Sequence, residues 1–102
     1  MGKAHAHLAS AEVLIVEDEP LLRKRLAASL QGYGAEVTTA DSLEEARNCL
    51  ESLFFDFALT DVHLPDGLGL DLLRAGDFAP DTAVVIMTAE GGVETAVEAM
   101  RL

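Results

Sequence analysis

Residues 13–16 read Val-Leu-Ile-Val, an unbroken apolar run in which three of the four side chains are β-branched. A run of this kind has no polar side to turn toward water. It predicts a short strand buried on both faces, the habit of parallel sheets covered by helices. The run ends in three acids, Glu17-Asp18-Glu19, and Pro20 follows. Proline suits a helix start, because its missing N–H would have been unpaired there in any case.

The rest of the chain repeats the theme. Leu22, Leu26 and Leu30 recur every four residues around Arg23, Lys24 and Arg25, the mark of an amphipathic helix over about 20–32. Gly32 or Gly34 is its expected stop. Residues 35–40, "AEVTTA", read as a second strand. "SLEE" at 42–45 is a capping box, and Leu43, Ala46, Leu50 and Leu53 mark the apolar face of the helix it opens. "DFALTD" at 56–61 is a third strand. Gly67 and Gly69 open a loop into a short helix around 70–75, carrying Leu70, Leu72 and Leu73. "TAVVIMT" at 82–88 is a fourth strand. After the Gly91-Gly92 joint, Val93, Ala96, Val97 and Met100 pattern a fourth helix. Strand and helix alternate four times, which predicts an α/β, doubly wound parallel sheet with right-handed crossovers.

At 102 residues, half of them apolar, the chain suits one small domain with a real core. Residues 1–11, "MGKAHAHLASA", read as a flexible lead-in without a secretory segment, and 12–102 as the domain. The terminal pair His5 and His7 reads as mobile and without function. No apolar run approaches the roughly 20 residues of a membrane helix. Eighteen acids against seven bases give a formal charge of −11. That sign opposes direct binding of nucleic acid and suits a cation or a basic partner. The single cysteine, Cys49, reads as a packing residue in a reducing cytoplasm.

Ligands in doubly wound sheets bind at the carboxyl ends of the strands, where the winding reverses. The first strand ends in Glu17-Asp18, the third in Asp61 and the fourth in Thr88. Carboxylates gathered in one place repel unless a cation joins them. Mg²⁺ fits, since it prefers oxygen ligands and takes one or two carboxylates along with phosphate oxygens. On this reading Asp61 is a carboxylate nucleophile toward phosphorus, Glu17 and Asp18 hold the metal, and Thr88 offers its hydroxyl to a phosphoryl oxygen.

The stretches "VLIVEDEP", "ALTDVHLPDGLGLDLL" and "VVIMTAEG" together resemble the receiver domain of two-component response regulators. The resemblance spans about residues 12–102. It implies a flavodoxin-like, CheY-like sheet of strand order 2-1-3-4. It implies Mg²⁺- or Mn²⁺-dependent transfer of a phosphoryl group from a histidine kinase onto Asp61. The metal would be held by Glu17, Asp18, Asp61 and the backbone carbonyl of His63. Thr88 would act as the switch hydroxyl that signals to an output domain. "GLGLDLLR" and "GGVETAVEAMRL" are similar to receivers of NtrC-like transcriptional activators.

A receiver also has a fifth strand and helix, and a lysine at the fifth strand's tip. None of these matches a position in this sequence, whose lysines are Lys3 and Lys24. The expectation is a piece of a longer parent protein, with weakened phosphorylation and better-preserved Mg²⁺ binding. Its apolar fourth strand would be an open edge, inviting self-association there and at the fourth helix. Two other functions compete. One is an interaction or dimerisation module of the same fold that takes no phosphate. The other is an aspartyl phosphohydrolase, which normally wants a second aspartate where this chain has His63.

Overall fold

In the computed structural model, which describes residues 9–87, Val13 to Val16 are fully buried at the heart of a parallel sheet. The elements are β1 (Glu12–Val16), α1 (Pro20–Gly32), β2 (Glu36–Ala40), α2 (Leu43–Ser52), β3 (Phe57–Asp61), β4 (His63–Leu64), β5 (Gly67–Leu68), α3 (Leu70–Arg74) and β6 (Ala83–Met87). The main sheet has the order β2-β1-β3-β6, all parallel, so the expected fourth strand is β6. Thr88, the Gly91-Gly92 joint, the fourth helix and the terminal histidines lie outside the described residues.

Alternation along β1 explains why its apolar run has no polar member. Val13 and Ile15 join Leu26 and Leu30 of α1, with Leu59 and Met87, in one cluster. Leu14 and Val16 point the other way, into a second cluster with Leu43 and Ala46 of α2, Leu72 of α3, Phe55 and Leu64. Each burial of a large aliphatic side chain contributes on the order of 1.5–3 kcal/mol. Cys49 packs against the second cluster, as expected of a structural thiol, and burial pushes its pKa up.

Helix α1 begins at Pro20 and stops through Gly34 rather than Gly32. Gly34 takes a φ of +93°, its N–H donates to the Gln31 carbonyl, and the Ala35 N–H donates to the Leu30 carbonyl. This paired closure satisfies two carbonyls the helix leaves open. Ala35 and Leu30 then meet in the first core cluster.

Two expectations need correction. Leu53 does not belong to the buried face of α2. It stands at the helix's C-terminal cap and is 51% exposed, because the chain has turned extended there. The segment around Gly67 is not a plain loop. It folds back as a small antiparallel ladder, with His63 opposite Leu68 and Leu64 opposite Gly67.

Gly34→Ala is expected to lower stability by about 1–2 kcal/mol, the cost of a side chain in left-handed backbone. A lower urea midpoint at unchanged slope checks it. An unmoved midpoint would show that the helix stop does not need glycine.

Candidate functional site

The register of the sheet brings the strand ends level. Val16 lies opposite Ala40 on one side and Thr60 on the other, and Asp61 lies opposite Met87. The residues that follow, Glu17 and Asp18 after β1 and Asp61 at the end of β3, therefore emerge on one rim. A carboxylate oxygen from each of Glu17, Asp18 and Asp61 lies within 4.8 Å of the others. The three acids expected to share a site do meet. His63 is exposed on β4, two positions past Asp61. Thr88 directly follows Met87 in sequence and is outside the described residues.

The three acids after β1 have separate roles. Glu19 is the N-cap of α1, where its Oε1 accepts the Leu21 N–H at 3.3 Å. Asp18 is exposed on the rim. Glu17 is only 2% exposed. Its Oε2 accepts the Glu19 N–H at 2.9 Å, while its buried Oε1 finds no partner among the described residues. The Glu17 main chain is anchored on both sides. Its N–H donates to the Ala40 carbonyl at 2.9 Å, and its carbonyl accepts from Arg23 Nη1 at 2.9 Å.

Burial lifts the Glu17 pKa from 4.5 to about 7; the Glu19 N–H works against this, while Asp61 and Asp18 add to it. Loss of solvation disfavours a charge, and neighbouring negative charges disfavour it further. An unpaired buried oxygen is costly to leave unmade. An all-oxygen donor set with one buried carboxyl oxygen unpartnered among the described residues suits a hard divalent cation.

Asp61 is backed by residues that sequence reasoning did not single out. The Thr60 hydroxyl, fully buried, donates to the Asp61 carbonyl at 3.2 Å. Gly69 lies directly over the same carbonyl. A Cβ at Gly69 would collide with that oxygen and stand 2.8 Å from the Thr60 hydroxyl. The Gly69 N–H donates to the Val62 carbonyl at 2.8 Å, and the Val62 N–H to the Met87 carbonyl at 3.1 Å. Asp66 accepts the Leu43 and Glu44 N–H groups at 2.8 and 3.0 Å. Those bonds span 23 and 22 positions, so no local pattern signals them. Arg23 is one of three consecutive basic residues of α1, and nothing in the sequence tells it from Lys24 or Arg25.

The response regulator receiver domain family matches residues 13–102. Response regulator protein PilR of Pseudomonas aeruginosa is 40% identical over 91 residues, which cover 88% of this chain and 20% of PilR. A CheY-like receiver domain from Methanospirillum hungatei superposes with a TM-score of 0.74 at 30% identity, covering 87% of this chain and 72% of that one. A response regulator from Burkholderia pseudomallei, solved with a phosphorylated aspartic acid, a calcium ion and citrate, gives 0.73 at 28% identity, over 90% and 55%. The chain thus spans about a fifth of the length of the curated relative.

A carboxyl with a raised folded-state pKa holds its proton more tightly folded than unfolded. Stability in divalent-free solution is therefore expected to fall as pH rises from 4.5 to about 7. Asp66, whose backbone hydrogen bonds hold it below its usual 3.8, acts in the opposite sense and only at more acidic pH. Urea midpoints at about pH 5 and about pH 7.5, with chelator, check the Glu17 effect. Glu17→Gln is expected to flatten the difference, and an equal slope in that variant would assign it elsewhere.

Proposed function

The chain belongs to the response regulator receiver domain family, and on that premise we propose that it accepts a phosphoryl group on Asp61 at a Mg²⁺ or Mn²⁺ site. The observation that carries this reading is the meeting of one carboxylate oxygen each from Glu17, Asp18 and Asp61 within 4.8 Å, in a cluster whose Glu17 is buried. The Burkholderia relative's phosphorylated aspartic acid and calcium ion support it by analogy.

Glu17, Asp18, Asp61 and the His63 carbonyl would hold the ion, which when bound offsets negative charge on the phosphoryl group. An Asp61 carboxylate oxygen attacks phosphorus, the bond to a kinase histidine nitrogen breaks, and the electron pair leaves on the imidazole. Gly69 and Thr60 hold the Asp61 main chain while this occurs. Thr88 serves as the hydroxyl partner of the phosphoryl group and switches its position. Residues 1–11 form a lead-in and 12–102 the receiver domain. A sensor histidine kinase is the donor, in the cytoplasm. A C-terminal output domain in a longer protein, of the transcription-controlling kind, is the recipient of the signal. With its net charge of −11 the chain leaves nucleic acid to that partner. Among the described residues no helix is long and apolar enough to cross a membrane.

Incubation with acetyl phosphate and Mg²⁺ is expected to add about 80 Da, one phosphoryl group, and the gain should vanish in Asp61→Asn. Intact mass measurement checks it, and the same adduct in that variant would move the acceptor elsewhere. No adduct in the unaltered chain would favour the phosphate-free interaction module.

We also propose self-association through β6. Among the described residues it pairs with β3 alone and carries the half-buried Val84, Val85 and Ile86 on the sheet's edge. Sedimentation at micromolar concentration is expected to show species larger than the monomer, and a compact, stable monomer would count against it.

A further inference from the structure

We propose that Asp66 is a positioning residue for the phosphoacceptor site: its carboxylate clasps the N-terminus of α2 and so fixes the segment that follows Asp61. This rests on the reading of Asp61 and the His63 carbonyl as the phosphoryl and metal site.

The segment 62–69 leaves the rim and returns to it. Its base is closed by the Val62 N–H on the Met87 carbonyl and the Gly69 N–H on the Val62 carbonyl. Its middle is held by the β4–β5 ladder, by Leu64 in the second core, and by the Leu68 N–H on Asp71 Oδ2 at 3.0 Å. What remains is the outer turn, Pro65-Asp66, which is exposed. The Leu64–Gly67 pair closes this turn on itself, and a tie to the rest of the fold must hold it in place. Asp66 does so by accepting two backbone N–H groups, one on each oxygen. Charge-assisted bonds of this kind are among the stronger and more directional ones.

The other half of the clasp is equally specific. The Glu45 N–H is taken by the Ser42 hydroxyl at 3.1 Å, and the Ala46 N–H by the Ser42 carbonyl at 3.0 Å. Glu45 itself reaches back to the Asp41 N–H at 2.8 Å. The Leu43 and Glu44 N–H groups are the first two of the helix, and a helix's first donors have no partner within it. Asp66 closes that gap from another part of the chain. The approach is close: a Cβ at Gly67 would stand 2.6 Å from Leu43 Cδ1 and 3.0 Å from Asp71 Oδ2, and Gly67 has a φ of +149°. The segment carrying His63 is thus fixed from two sides, at Asp61 by the sheet register and at Asp66 by α2. Releasing one side frees the His63 main chain to shift relative to the Asp61 carboxylate. The expected cost falls on ion affinity more than on phosphoryl transfer once the ion is saturating.

The test compares three variants of the chain. Asp66→Ala removes both bonds, Asp66→Asn keeps one accepting oxygen, and Ser42→Ala removes a cap of the same helix whose hydroxyl bonds the Glu45 N–H. Mg²⁺ titrations followed by amide chemical shifts are expected to show about tenfold weaker binding in Asp66→Ala, the usual effect of losing an outer partner of a metal ligand. Asp66→Asn should fall between, and Ser42→Ala should stay within about twofold of the unaltered chain, though it loosens the helix. The phosphorylation rate at saturating Mg²⁺ should change less than the affinity. Without metal, exchange of the Val62 and Gly69 amide hydrogens should quicken in Asp66→Ala and not in Ser42→Ala. Unchanged Mg²⁺ affinity in both Asp66 variants, while the unaltered chain binds, overturns the proposal alone. So does an equal loss in Ser42→Ala, which would reduce Asp66 to a helix cap. No Mg²⁺ binding by the unaltered chain overturns the site reading and this proposal with it. Should Asp66→Ala fail to fold, Asp66→Asn decides.

Discussion

Burial of β1 on both faces is the constraint from which the rest follows. A strand with Val13 and Ile15 packed on one side and Leu14 and Val16 on the other must sit inside a sheet covered by helices on both sides. It must also have neighbours to pair its backbone groups, and β2 and β3 supply them in parallel. Parallel pairing then aligns the carboxyl ends of the main sheet's described strands at one rim. The polar residues that end these strands are concentrated there as a by-product of hydrophobic packing.

That concentration is electrostatically unfavourable without a counter-charge, and among the described residues no base pairs with the cluster. Arg23 is half-buried close by, but its guanidinium donates to the Glu17 main chain rather than to a carboxylate of the cluster. Glu17 carries most of the penalty. It is buried, one oxygen has no partner among the described residues, and its pKa is raised to about 7. A buried carboxyl oxygen without a partner costs stability unless a proton or a cation completes it.

Much of this was legible in the sequence. The apolar run at 13–16, the four-residue leucine spacing of α1 and the capping box at Ser42 each act over a few residues, and each formed where its pattern placed it. The capping box differs in one detail, since Glu45 reaches the Asp41 N–H rather than that of Ser42. Features that depend on chain segments far apart were not legible. Asp66 and Gly67 look like an ordinary turn until α2 is set against them. Gly69 looks like loop punctuation until the Asp61 carbonyl is found where a Cβ would stand. Leu53 kept the helical spacing yet lies beyond the helix, because spacing does not say where the backbone turns.

The sequence alone determined the alternation of strands and helices, the parallel sense of the sheet and the acids at its strand ends. It could do so because hydrophobic periodicity and turn chemistry are local, and a parallel sheet leaves few ways to arrange them. Only the tertiary structure decided which acid is buried and which is exposed, and which turn is fastened to which helix. Solvation and hydrogen bonding across the fold depend on what stands opposite a residue, and for Glu17 and Asp66 those partners come from the register of β1 with its neighbours and from a helix some twenty positions away.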